Sequence, residues 1–192
     1  EYDAEDDDND QYWYSIDKNG KVYIPSNSDA NKVASGQKYK LTDATLEAKD
    51  YYDIIVKKNV NSKSYFFNVD GEMLSKFIEI DEAGAKSGLT TGMYYFGGDD
   101  DGSMKTGAQT VKDDNGDTYK FYFGTKNSTT ETKGVGITGN KSNKLYYKGL
   151  LLTADDYKYQ IATVDDVHYF IVNKNGSIQH SCVEYKEDSD VL

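Results

Sequence analysis

Residues 93–107 read MYYFGGDDDGSMKTG, and the fold class turns on this stretch. Tyr94, Tyr95 and Phe96 are consecutive strand-forming aromatics, whose side chains leave an extended backbone on alternate faces. Asp99, Asp100 and Asp101 are depleted in strands, and Gly102 accepts the positive φ that a tight turn demands. Ser103 and Met104 then begin a returning strand. The unit is a β-hairpin. With Gly102 at a left-handed position, Gly102→Val is expected to cost roughly 1–2 kcal/mol from backbone strain alone.

The same order of aromatic cluster, polar turn and glycine recurs along the chain. Tyr12, Trp13 and Tyr14 precede Gly20; Tyr65, Phe66 and Phe67 precede Gly71; Tyr146 and Tyr147 precede Gly149; His168, Tyr169 and Phe170 precede Gly176. Short apolar returns follow, as in Val22 to Ile24, Met73 to Leu74 and Leu150 to Leu152. A single hairpin is marginal, but several buried against each other are not. The spacing predicts an all-β protein: an irregular, solenoid-like array of stacked β-hairpins over residues 12–186, between an acidic tail or linker at 1–11 and a short C-terminal tail at 187–192.

The turn glycines at 20, 71, 102, 149 and 176 are separated by 51, 31, 47 and 27 residues, too unevenly for a regular solenoid, so extra strands must fill the longer gaps. Residues 119–123, behind Asn115-Gly116, and residues 157–164 read as two of them. Residues 42–58 fit a strand or a short helix, and the alternation of Ala44, Leu46 and Ala48 favours strand.

Composition narrows the function. With 18 tyrosines against 7 phenylalanines, the aromatic content suits thin cores close to water. A net charge of −11 disfavours nucleic acid and anionic lipid as partners. No apolar run is long enough to span a bilayer, and no targeting segment is visible. The lone Cys182 excludes an intrachain disulfide framework.

Residues 93–107, 65–74 (YFFNVDGEML) and 144–179 resemble the β-hairpin repeats of choline-binding, glucan-binding and clostridial-type cell-wall-binding proteins. The resemblance covers about two thirds of the chain, and GSMKTG after YYF is its most specific part. It implies an extracellular module, secreted or at a bacterial surface, without enzymatic activity. The implied partner is a cell-wall polymer or glycan, alongside a fused or associated surface protein. In one respect the chain departs from the family: choline boxes use several tryptophans, and here Gly107 is followed by Ala108 while Trp13 is the only indole. Sugar stacking on tyrosine and tryptophan is the remaining use of the rings. The candidate ligand-binding residues are Trp13, Tyr14, Tyr94, Tyr95, Met104, Tyr146 and Tyr147. The alternative is a protein-interaction module such as an adhesin or toxin-like receptor binder, and the third reading is a structural spacer.

Catalytic and metal chemistry find little support. Placing Gly102, Gly116 or Gly176 at the sixth position of a calcium loop leaves Ala108, Tyr122 or Cys182 at the twelfth, where a glutamate is needed. His180 and Cys182 share a strand face without any surrounding nucleophile signature. No nucleophile elbow, phosphate loop or dinucleotide fingerprint occurs. No catalytic residue, metal site or cofactor is expected.

Overall fold

The structure is a computed structural model and describes residues 12–25, 33–83, 89–155, 158–181, 186–187 and 190–191. The proposed acidic tail at 1–11, and Cys182, lie outside these residues. Among the described residues there is no helix, and every strand ladder is antiparallel.

The first sheet holds β1 (Val33–Thr42), β2 (Thr45–Val60), β3 (Lys63–Phe67), β4 (Phe77–Ala83) and β5 (Gly92–Tyr95) in the order β3-β2-β1-β4-β5. Residues 42–58, ambiguous in sequence, end β1 and fill most of the long β2. The second sheet holds β6 (Gly107–Lys112), β7 (Thr118–Phe123), β8 (Gly139–Lys141), β9 (Lys144–Tyr147) and β10 (Leu150–Leu151) in the order β6-β7-β10-β9-β8. A third, two-stranded sheet pairs β11 (Tyr159–Thr163) with β12 (Tyr169–Asn173), and a fourth pairs β13 (Lys186–Glu187) with β14 (Asp190–Val191).

The turn chemistry is more specific than an Asn-Gly or Asp-Gly reading suggests. Four turns share one hydrogen-bond pattern. Asp17 Oδ1 accepts from the amides of Asn19 and Lys21 at 2.8 and 2.9 Å, and the Gly20 amide donates to the Asp17 carbonyl at 3.0 Å. Asn68 takes Asp70, Glu72 and Gly71 in the same way; Asp113 takes Asn115, Asp117 and Gly116; Asn173 takes Asn175, Ser177 and Gly176. In each, only the glycine has positive φ, from 73° to 90°. These are three-residue hairpin loops closed by a left-handed glycine, with an Asx side chain replacing the missing ladder bonds. The two-residue turns with both φ positive carry mostly other residues: Asp43-Ala44, Asn61-Ser62, Ser142-Asn143 and Lys148-Gly149.

Gly102 does take positive φ, 62°, but its turn departs from the four. The Ser103–Met104 return forms no ladder with β5; instead Met104 donates to the Ser64 carbonyl and Lys105 to that of Tyr95, both at 2.8 Å. A Cβ on Gly102 would lie 2.2 Å from Met73 Sδ, so substitution also collides with a neighbour. The Met73 side chain is flexible and can move aside, so Gly102→Val is expected to cost about 2 kcal/mol, chiefly from the left-handed backbone. Thermal unfolding measures it, and a Tm equal to the parent's contradicts the left-handed placement of Gly102.

Two of the three buried clusters fill the first sheet and its junction with the second. Ile55, Phe66, Ile78, Tyr94 and Phe96 form one around β2 to β5. Leu41, Phe77 and Met93 of the first sheet meet Val111, Phe121, Phe123 and Leu150 of the second, with the Phe77 and Phe121 ring centroids 4.8 Å apart. Lys148 adds a polar tie across the junction, its Nζ 2.8 Å from Glu79 on β4. Burial, followed by the hydrogen bond to Glu79, pushes the Tyr39 hydroxyl up to about 12, so it remains a neutral donor there.

Candidate functional site

The N-terminal hairpin is laid against β2, β3 and the turn after β3. Phe67 faces out from the first sheet's main cluster, and Tyr23 covers it edge-on at 5.5 Å between ring centroids. Lys58 Nζ sits 3.8 Å from the centre of the Tyr23 ring. The Trp13 carbonyl accepts from the Met73 amide at 2.8 Å, and Tyr14 bridges to Glu72, its hydroxyl donating to Oε1 at 3.3 Å. Glu72 is fixed in turn by the Asn68 side-chain amide at 2.7 Å. The backbone of Trp13 is thus held while its ring stays in water.

This arrangement leaves a groove of about 680 Å³. Tyr12 and Trp13 form one side, 55% and 48% exposed, and Tyr52 of β2 contributes a third ring. Polar groups complete the lining. Asp50, Asn68, Glu72, Lys38, Lys76, Asp99 and Asp100 are among them. Lys76 and Asp99 form an ion pair at 3.1 Å. Asp50 and Asp100 have no hydrogen bond or ion pair among the described residues. Burial, reinforced by Asp50 and Glu72, pushes the Tyr52 hydroxyl up to about 12. The groove therefore offers apolar rings together with carboxylates, Asp50 and Asp100 among them, the combination that holds an apolar face carrying hydroxyl groups.

The seven candidate residues do not converge on one place. Trp13 lines the groove and Tyr14 flanks it. Tyr147 is exposed on the second sheet, with Lys148 Nζ 5.8 Å from its ring centre. Tyr94 is only 2% exposed and closes its hydroxyl on the Thr90 backbone, donating to the carbonyl at 3.0 Å and accepting from the amide at 3.2 Å. Tyr146 is buried, and Tyr95 stacks on Phe77 and Phe123. Met104 is half-buried and packs against the first cluster. Consecutive aromatics place alternate rings in opposite environments, so a YY pair could not reveal which ring meets solvent. Tyr52 and Asp50 were hidden in the stretch that fitted either strand or helix. The closeness of Tyr12 to Trp13 was the one sequence signal for this groove.

Both histidines and one acidic group serve turns and loops. His180 Nε2 bonds to Asn143 Oδ1, and Cys182 lies outside the described residues. His168 pairs with Asp165 at 2.6 Å on an exposed loop. The carboxylates of Asp43, Asp113 and Asp117 gather within 4.8 Å. Asp113 Oδ1 already accepts from the Asn115 and Asp117 amides and Oδ2 from that of Asp43, while Asn115 donates to Asp43, so the group joins the β1–β2 turn to the β6–β7 turn. Among the described residues, no helix is long and apolar enough to cross a membrane.

No family model and no curated protein matches the chain. Among solved structures it is similar to choline binding protein F from Streptococcus pneumoniae, at 20% identity and a TM-score of 0.23, over 89% of this chain and 55% of that one. The chain spans about half the length of that protein, and a superposition of that extent carries no argument about its ligand.

Proposed function

We propose that the chain is a non-catalytic, extracellular binding module that attaches to a cell-wall polymer or glycan through the groove at Trp13. The observation that carries this reading is the solvent-facing pair Tyr12 and Trp13 in one groove with Asp50 and Glu72. Exposed aromatic rings sharing a groove with carboxylate acceptors suit a sugar, whose apolar face stacks while its hydroxyls donate. A net charge of −11 lends no steering toward a neutral glycan, so affinity must come from these short-range contacts. A stacked, solenoid-like repeat is part of the same proposal, supported by the four turns with one hydrogen-bond pattern.

Trp13 is the only indole, so its emission reports the groove alone. Titration with wall fragments or neutral oligosaccharides is expected to shift that emission saturably. Trp13→Ala is expected to weaken binding about tenfold or more, with unchanged melting because the Trp13 carbonyl bond to Met73 survives. Undiminished binding by the folded variant moves the site away from Trp13. Loss of folding makes the ring a cap over the first hairpin.

A protein-interaction reading has one observation in its favour: Val167 and Tyr169 on the β11–β12 hairpin are 72% and 66% exposed, with Ile161 close to half exposed. Loss of partner binding in Val167→Ser/Tyr169→Ser, with glycan binding intact, would favour it.

A further inference from the structure

The second pocket, about 270 Å³, lies on the first sheet beside the loop after β7, away from Trp13. Its lining has the sign opposite to the chain's net charge of −11. Two lysines line it, Lys57 from β2 and Lys133 from the loop, and no carboxylate does, although acids outnumber bases 33 to 22 in the chain. Thr90, Thr132, Asn127 and Ser64, whose hydroxyl is given to Asn59, complete its polar lining, with Tyr94 and Met104 as its larger apolar side chains.

Several other lysines have carboxylate partners: Lys148 with Glu79, Lys76 with Asp99, Lys105 with Asp101, Lys141 with Glu131. Among the described residues, the ammonium groups of Lys57 and Lys133 have no hydrogen bond or ion pair. Glu131, two residues from Lys133, is turned to Lys141 and to the Thr125 amide. Burial, and then the nearby Lys133, lower the pKa of Lys57. Two like charges converging on a half-buried pocket are destabilising by themselves, and an anion between them relieves both the repulsion and the desolvation.

The loop that carries these donors is built in place. Gly124 exchanges backbone bonds with Val135 and Gly134, each at 2.8 Å, and the Lys133 amide donates to Asn127 Oδ1 at 2.9 Å. That bond directs the Asn127 side-chain NH2 elsewhere and leaves it as a donor. A Cβ on Gly124 would lie 2.1 Å from the Thr132 carbonyl oxygen, so the loop packs without slack.

We propose that this pocket is an anion site for a phosphate group, such as that of a phosphorylated sugar or polyol phosphate, held by Lys57 and Lys133 with Thr90, Thr132 and Asn127 donating to its oxygens. A tetrahedral phosphate has enough acceptor oxygens for two ammonium groups and several neutral donors, and its charge exceeds that of a carboxylate. The site is independent of the groove at Trp13.

The test is an amide NMR titration of the whole chain with glycerol phosphate, with acetate as the carboxylate arm and chloride holding the ionic strength constant. Saturable shifts at Thr90, Asn127 and Thr132 are expected with glycerol phosphate. Acetate is expected to bind at least tenfold more weakly. Lys133→Met and Lys57→Met are each expected to weaken phosphate binding at least tenfold, while Lys120→Met, at an exposed position on β7, leaves it unchanged. Because Lys133 is exposed, its variant tests the site even where Lys57→Met fails to fold. Absence of saturation, equal loss in Lys120→Met, or equal affinity for acetate overturns the proposal.

Discussion

Gly36→Ala is expected to destabilise the protein by about 4 kcal/mol, more than most single substitutions. Gly36 lies in β1, the central strand of the first sheet, where the pairing with both neighbours is irregular. Toward β4 the register jumps from Ser35 opposite Glu82 to Gly36 opposite Ile80; toward β2 it passes from Ala34 opposite Ile55 to Gly36 opposite Tyr52. A Cβ built on Gly36 would sit 2.1 Å from the Glu79 carbonyl oxygen and 3.1 Å from the Ile80 Cα. Those atoms are backbone, so no rotamer change relieves the clash, and β1 and β4 would have to separate. Glycine inside a strand marks such close approaches. The cost is read as the drop in unfolding free energy from urea titration. A midpoint equal to the parent's would contradict the register at the bulge.

The sequence pointed to strands at the aromatic clusters of β3, β5, β9 and β12 and to turns where glycine follows Asx, because both signals are local, whereas Tyr12 to Tyr14 makes only an isolated bridge at Tyr14. Gly20, Gly71, Gly102, Gly149 and Gly176 all have positive φ, as the hairpin reading requires. The β7 strand and β11 fall where extra strands were needed to fill the gaps. What could not be read is long-range pairing. β4 returns to pair with β1 across the intervening β2–β3 hairpin, and β10 inserts between β7 and β9. Nothing in a hairpin's own residues encodes its neighbour in a sheet. Turn type was equally hidden: Asn61-Ser62 and Ser142-Asn143 make two-residue turns without any glycine. The same limit applied to the site. Trp13 stood out by being the only indole, but its partners Tyr52, Asp50 and Glu72 come from β2 and from the turn after β3, brought there by tertiary pairing. Lys57 and Lys133 are 76 positions apart and carry no shared motif.

Phe121→Ala is expected to cost about 4 kcal/mol and to do so in both large sheets at once. Phe121 is 1% exposed at the centre of β7, opposite Gln109 on β6 and Leu150 on β10. Its ring lies 4.8 Å from Phe77 of the first sheet and 6.0 Å from Phe123, and Phe123 in turn stacks on Tyr95. Truncation removes a phenyl group from the cluster that joins the sheets and leaves a cavity between two frameworks that cannot close independently. The neighbouring tie from Lys148 to Glu79 is partly solvated and contributes less. The two sheets should therefore lose stability together. Trp13 emission follows the N-terminal hairpin docked on the first sheet, whereas far-UV circular dichroism follows all strands. In urea, both transitions should coincide in the parent protein and move to lower denaturant by the same amount in Phe121→Ala. A Trp13 transition left in place while the dichroism midpoint falls would mean that the first sheet stands without the second, and that the Phe77–Phe121 contact does not couple their stability.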